Sequence, residues 1–105
     1  MSTPLEKFWL DLVAQLGCVI CTRLGRGRVP AELHHVAEGS GERSNFGVVP
    51  LCPEHHDGAK AGSGFHGMGT RTFCRVFKVP GLSEYGLLVM TAEDLARHLR
   101  TLRIA

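Results

Sequence analysis

Two pairs of metal-binding residues, each with two residues between its members, most constrain the fold of this chain. The first pair is Cys18 and Cys21 in the stretch CVIC, and the second is Cys52 and His55 in the stretch CPEH. Structural zinc sites use four tetrahedral ligands, commonly thiolates and imidazoles, and the two-residue gap lets both side chains of a turn reach one ion. The spacing therefore predicts a structural zinc ion that joins the N-terminal segment to the centre of the chain.

The length of the chain is a reason to prefer a metal site over plain buried thiols, which are the alternative. A chain of 105 residues has a thin core, and small cores often gain stability from a metal ion or from disulfides. In a reducing compartment cysteines are ligands or thiols more often than disulfides. Cys74 has no partner at ligand spacing, so we predict that it is a core residue.

The apolar pattern predicts a single α+β domain over residues 1–105. Its core, at about 18–78, is expected to be held together by the zinc ion. Residues 3–6 resemble a helical capping box with proline at the first position. The apolar residues that follow at helical spacing predict an amphipathic helix whose apolar face packs on the domain: Leu5, Phe8, Trp9, Leu12, Val13 and Leu16. Two short strands, a short helix, a glycine-rich loop and another helix are predicted at 33–36, 46–51, 53–60, 61–70 and 72–78. A C-terminal helix is predicted to begin at Thr91, with Leu95, Leu99 and Leu102 facing inward.

The charge distribution permits a nucleic-acid partner but does not by itself require one. The formal net charge is only +2, although basic residues occur in local groups. Such groups can supply contacts to backbone phosphates. Should the partner be a nucleic acid such as DNA, four basic residues are the candidate contacts: Arg26, Arg28, Lys60 and Arg71.

No segment of the sequence resembles a membrane span or a secretion signal. The apolar runs are much shorter than the roughly eighteen residues that a bilayer span needs. The N-terminal stretch carries acidic residues within its apolar stripe and lacks a basic start. We therefore expect a cytoplasmic protein with no membrane partner.

Histidines occur in two adjacent pairs, and one member of the second pair, His55, is already assigned to zinc. His34 and His35 end a predicted strand, His56 follows His55, and His66 lies in the glycine-rich segment. Neighbouring residues point to opposite sides of a strand and about 100° apart on a helix. Each pair can therefore divide its members between two roles. A lone histidine is usually structural, but this grouping favours a functional site.

Three parts of the sequence, in this order, resemble an HNH endonuclease of the ββα-metal class: ELHH at 32–35, Asn45, and LCPEHH at 51–56. The two ligand pairs are similar to the structural zinc site of many HNH proteins. The segment GSGFHGMGTRTF and the preceding HHDG further resemble the Ref-like recombination enhancement nucleases of phages and prophages. The basic N-terminal extension of that family is not seen at this N-terminus, so RecA dependence is not part of the expectation.

The resemblance implies a metal-dependent DNA endonuclease of phage or prophage origin. His35 would be the general base, a role that suits an imidazole because its ordinary pKa is about 6.5. Asn45 would orient that base through its amide. His34, His56 and His66 would bind a second divalent ion (Mg²⁺, Mn²⁺, Ni²⁺ or Zn²⁺), and an imidazole-rich site suits transition ions best.

Two other interpretations stay open at this point. One is a zinc-knuckle module that binds nucleic acid without cutting it, so that only the four zinc ligands have a role. The other is a phage accessory domain with a decayed active site. Two metal ions per chain would favour the enzyme, and one would favour the binding module. A recombination protein is a further candidate partner, and the oligomeric state is left open.

Overall fold

The computed structural model describes residues 2–37, 44–58 and 64–104, with side chains up to residue 102. The helices are α1 (Pro4–Gln15), α2 (Val19–Arg23), α3 (Pro53–His56), α4 (Phe65–Met68), α5 (Thr70–Val76) and α6 (Glu84–Ile104), with a 3₁₀ turn at Pro80–Leu82. The strands are β1 (Glu32–His35) and β2 (Val48–Leu51). Within the described part of the chain, no helix has the length and apolar character needed to cross a bilayer.

The two strands form a small antiparallel sheet, with Glu32 opposite Leu51 and His35 opposite Val48. All four residues of β2 are buried, whereas His34 is the buried residue of β1. The first strand therefore lies at the edge of the core and the second runs through it. The chain turns from β2 directly into α3. This arrangement confirms the predicted α+β class, with sparse strands and flanking helices.

The first helix has the predicted start but buries less of its apolar face than predicted. Thr3 Oγ1 accepts a hydrogen bond from the Glu6 amide at 3.1 Å, and the Thr3 amide donates to Glu6 Oε1 at 2.8 Å. Val13 is buried at the end of the helix, but Leu5 and Phe8 are 65% and 63% exposed. The prediction of a continuous buried face is wrong for those two residues, because the small core covers only the later turns of α1.

The segment from 61 to 70 was expected to be a loop, and this is wrong for its described part. Phe65–Met68 forms one helical turn, and α5 begins at Thr70 instead of at 72. The side chain of Phe65 packs against Phe73, with ring centroids 5.4 Å apart. This aromatic packing outweighs the low helix propensity of the glycines. The predicted end of α3 at residue 60 lies outside the described residues, and the helix itself ends at His56.

The C-terminal helix begins about two turns earlier than predicted. Its first residue is Glu84, and Thr91 lies inside the helix, where its hydroxyl donates to the Leu87 carbonyl at 2.8 Å. A threonine can satisfy its hydroxyl in this way without acting as a cap. The prediction of the inward-facing residues is also wrong in part, because Leu99 and Leu102 are exposed. The helix is anchored through its first half, which buries Leu87 and Met90.

The core joins the two turns that carry the predicted zinc ligands to β2 and to the helices that follow it. Its fully buried members include Cys18, Val19, Val49, Leu51, Phe73, Cys74 and Leu87. Cys74 is therefore a core residue, as predicted. The small apolar core is continuous with the cysteine cluster, so the geometry of that cluster and the packing of the core depend on each other.

Candidate functional site

The two predicted ligand pairs converge on one buried cluster. Sγ of Cys21 lies 3.7 Å from Sγ of Cys52, and Nδ1 of His55 lies 3.6, 3.5 and 3.2 Å from the sulfurs of Cys18, Cys21 and Cys52. A tetrahedral zinc ion with bonds of about 2.3 Å to sulfur separates two sulfur ligands by about 3.8 Å. The separations in the cluster fit that geometry. None of these cysteines forms a disulfide.

Short helices place the four ligands. Cys18 is the N-cap of α2 and its sulfur accepts the Cys21 amide at 3.5 Å, while Cys52 is the N-cap of α3 and Pro53 begins that helix. Each pair therefore lies on the first turn of a helix, where a two-residue gap brings both side chains to one side. The chain folds both turns into the core, so all four ligands are buried.

The electrostatics of this cluster call for a cation. Burial is the main reason that the pKa of Cys21 rises to about 12, and the neighbouring Cys18 thiol adds to it. Burial likewise raises the pKa of Cys18 and lowers that of His55, where the Glu54 carboxylate opposes part of the effect. Thiolates are costly here without a compensating charge, and a divalent ion supplies one. The cluster can therefore hold a structural metal such as zinc.

Three histidines form a second cluster. One ring nitrogen from each of His34, His56 and His66 lies within 4.8 Å of the others. Nε2 of His56 and Nε2 of His66 are 3.1 Å apart, and the His34 ring centroid is 5.3 Å from both other rings. The sequence named all three residues as ligands of a second metal. The structure brings them together from β1, α3 and α4, and metal binding itself stays a prediction.

A glycine allows the close approach of the two short helices that carry His56 and His66. A Cβ atom added to Gly64 would lie 2.6 Å from the Gly58 nitrogen and 2.8 Å from the Asp57 carbonyl carbon. Both contacts involve backbone atoms, which cannot move aside as a flexible side chain can. The start of α4 can therefore pack on the end of α3 only because residue 64 has no side chain.

Two carboxylates that the sequence did not single out contact this histidine cluster. Oε2 of Glu84 lies 2.6 Å from Nε2 of His34, and both side chains are buried. Oε1 of Glu32 lies 3.0 Å from Nδ1 of His56. Burial lowers the pKa of His34, and the hydrogen bond that its ring donates to Glu84 opposes that shift. Glu32 could have been found from the sequence, because it shares a strand face with His34 two residues later. No local pattern in the sequence indicates that Glu84 lies near these histidines.

The other member of the first doublet, His35, has a different partner. Its Nε2 lies 3.0 Å from Oδ1 of Asn45, and Asn45 Nδ2 donates to Glu6 Oε2 at 3.1 Å and to Ser2 Oγ at 3.2 Å. Hydrogen bonds from the Thr3 amide and hydroxyl, and from Asn45, lower the pKa of Glu6. The two members of the doublet therefore have different neighbours, with His34 in the three-histidine cluster and His35 against Asn45. The catalytic roles of His35 and Asn45 stay predictions.

The predicted DNA-binding residues are distributed over the surface. Arg26 pairs with Glu54 at 3.2 Å, and Arg28 lines a groove against α6 together with Arg97. Arg71 is exposed near the start of α5, and Lys60 lies outside the described residues. Contact between these residues and DNA stays a prediction.

Fold and site together define a small α+β protein with a buried cluster of three cysteines and one histidine, and with a second cluster of three histidines. Residues 2–100 match the family described as "Recombination enhancement, RecA-dependent nuclease". The chain belongs to this family. The match confirms the resemblance to recombination enhancement nucleases that the sequence motifs indicated. No curated protein and no solved structure gives a significant match.

Proposed function

We propose that this chain is an HNH-type, metal-dependent DNA endonuclease that hydrolyses phosphodiester bonds with His35 as the general base. Membership in the nuclease family supports the reaction class. The observation that carries the finer proposal is the division of one strand doublet, with His34 in a three-histidine cluster and His35 hydrogen-bonded to Asn45. The proposal extends to a phage or prophage origin and a cytoplasmic location.

The hydrogen bonds around Asn45 support a specific proton path. The Asn45 amide nitrogen donates to Glu6 and Ser2, so the amide oxygen faces His35 and accepts from Nε2. In a neutral imidazole the other nitrogen then has the lone pair. Nδ1 of His35 is therefore the atom that takes a proton from the attacking water. Asn45 acts by holding the ring in this tautomer.

The three-histidine cluster is the proposed site of the second metal ion, held by His34, His56 and His66. Three imidazole nitrogens within 4.8 Å of one another fit a transition ion or zinc better than an all-oxygen magnesium site. The bound ion would stabilise the charge that develops on the scissile phosphate and on the leaving 3′ oxygen.

Basic side chains at the surface are the proposed phosphate contacts. Arg26 forms an ion pair with Glu54, the residue before His55, and Arg71 is exposed on α5. Guanidinium groups suit this role because their fork of donors matches phosphate oxygens. Arg28 and Lys60 complete the proposed set, and a recombination protein is the proposed protein partner.

A plasmid-nicking assay tests the proposal. Zinc-loaded protein is incubated with supercoiled plasmid and Mg²⁺, Mn²⁺ or Ni²⁺, and we expect nicked circles to accumulate only when the added ion is present. His56→Ala should require a higher ion concentration for the same rate. The matched control is His98→Ala, which removes an imidazole of α6 that lies outside the three-histidine cluster, so this variant should require the same ion concentration as wild type. DNA binding without nicking under every condition would favour the non-catalytic zinc module.

A further inference from the structure

Two carboxylates contact the histidine cluster, Glu84 through His34 and Glu32 through His56, and Glu32 also forms a more exposed group with His56 and Asp57 whose ligand atoms lie within 4.8 Å of one another. Ligand nitrogens of His34, His56 and His66 are mutually close, and among the described residues this group contains no Glu84 oxygen. Glu84 instead contacts Nε2 of His34 at 2.6 Å. A carboxylate accepts hydrogen bonds and does not donate them, so Nε2 of His34 carries the hydrogen. The lone pair of the neutral ring is then on Nδ1.

Glu32 and His56 form a pair of the same kind, in which the two ring nitrogens exchange roles. Glu32 contacts Nδ1 of His56 at 3.0 Å, so Nδ1 carries the hydrogen and Nε2 has the lone pair. That same Nε2 is the atom that lies 3.1 Å from Nε2 of His66. The nitrogen that Glu32 leaves available is therefore the one that faces the cluster.

We propose that Glu84 and Glu32 are positioning residues that fix the ring orientation and the tautomer of His34 and His56, so that Nδ1 of the first and Nε2 of the second are the metal-binding atoms. This inference rests on the proposed function, because it assigns the arrangement of the proposed metal site. Carboxylates that hold metal-binding histidines in this way raise ligand basicity and prevent the ring from rotating. Their loss commonly weakens metal affinity about 10–100-fold.

The two carboxylates come from different parts of the chain, and this gives α6 a role in the site. Glu32 lies on β1, two residues before His34, but Glu84 is the first residue of the C-terminal helix. The first turn of that helix packs tightly, since a Cβ added to Gly86 would lie 1.9 Å from the Pro80 carbonyl oxygen. Close packing of this turn fixes the position of Glu84, so the helix outside the strand–strand–helix core helps to shape the histidine cluster.

The first test reads the tautomers directly and requires no second metal and no activity. Protein carrying one equivalent of zinc is labelled with ¹⁵N in its histidine rings, and long-range ¹⁵N–¹H correlation spectra are recorded. We expect the ring hydrogen on Nε2 of His34 and on Nδ1 of His56 in the wild type. Glu84→Ala should change the tautomer population of His34, and Glu32→Ala that of His56. The matched control is Glu93→Ala, which removes a carboxylate of α6 that pairs with Arg23 and should change neither.

The second test measures Co²⁺ binding to the same proteins by titration calorimetry and by visible absorption. We expect Glu84→Ala and Glu32→Ala to bind the second ion about 10–100-fold more weakly than wild type, with one zinc retained. Glu84→Gln keeps the shape of the buried side chain and an acceptor oxygen, so it should fold and lose less affinity than Glu84→Ala. Because Glu32 is half exposed, its replacement should not impair folding.

The outcomes separate this inference from the proposed function. Unchanged tautomers in both alanine variants, or a wild-type His34 with its hydrogen on Nδ1, would overturn the positioning role. Wild-type affinity for Co²⁺ in both folded alanine variants would overturn it equally. A wild type that binds no ion beyond the zinc would instead contradict the metal site of the proposed function, and the tautomers alone would then decide the role of the two carboxylates.

Discussion

Replacing one zinc ligand should cost this chain most of its stability. In Cys21→Ser, a buried thiol that lies 3.7 Å from the Cys52 sulfur becomes a hydroxyl. A structural zinc contributes about 10–16 kcal/mol in small zinc domains, so an equal share for each of four ligands is about 2.5–4 kcal/mol. A buried hydroxyl without a partner adds about 1–3 kcal/mol, giving about 3.5–7 kcal/mol together. Domains of this size have a total stability of about 5–15 kcal/mol, so the variant should be largely unfolded or close to it.

The assay is urea unfolding followed by circular dichroism, with zinc content measured by mass spectrometry on the same samples. The matched control is Cys74→Ser, which makes the same change at a core cysteine that lies outside the cluster. This control should lose about 1–3 kcal/mol and keep one zinc ion. A Cys21→Ser protein with the wild-type unfolding midpoint and no bound zinc would refute the structural role of the cluster.

Three further results are expected. Gly64→Ala should separate α3 from α4, lowering stability by about 1–3 kcal/mol and weakening Co²⁺ binding. The control Gly47→Ala, whose Cβ would meet its nearest atom at 3.8 Å, should do neither. Equal melting temperatures for the two variants would contradict the packing role of Gly64. Burial lowers the pKa of His34 and His55 in the folded chain. The unfolded chain therefore takes up protons at a higher pH than the folded chain does, and the free energy of unfolding should fall as the pH drops below about 6.5. A urea midpoint that is constant from pH 7.5 to 5.5 would contradict buried neutral rings. Asn45→Ala should slow plasmid nicking less than loss of the proposed general base does, and a wild-type rate would remove its orienting role.

Local patterns in the sequence were sufficient to predict which cysteines and histidines come together in the two clusters. The CVIC and CPEH stretches each form one turn, so their spacing alone predicts which side chains meet. The strand doublet was equally informative, because alternation along β1 requires His34 and His35 to face opposite ways. His66 was the least constrained of the predicted ligands, since its place depends on how closely Gly64 lets α4 approach α3.

The errors arose where long-range packing decides the outcome. Thr91 resembles an N-cap, but buried Leu87 and Met90 extend the helix back to Glu84. That extension delivers a carboxylate to His34 across fifty residues of sequence, and no local pattern reports such a contact. The exposure of Phe8 has the same origin, because periodicity shows that a helix has an apolar face but not how much core exists to cover it.

The rate of DNA cleavage by His35→Ala tests the central claim most directly. Wild type and variant are compared on supercoiled plasmid at saturating divalent ion, after equal zinc content, equal melting temperature and equal affinity for a labelled duplex have been verified. A general base contributes to the transition state and little to ground-state binding, so the rate should fall about 10²–10⁴-fold while binding is unchanged. Cleavage at the wild-type rate by the folded variant would contradict the assignment of His35 as the base.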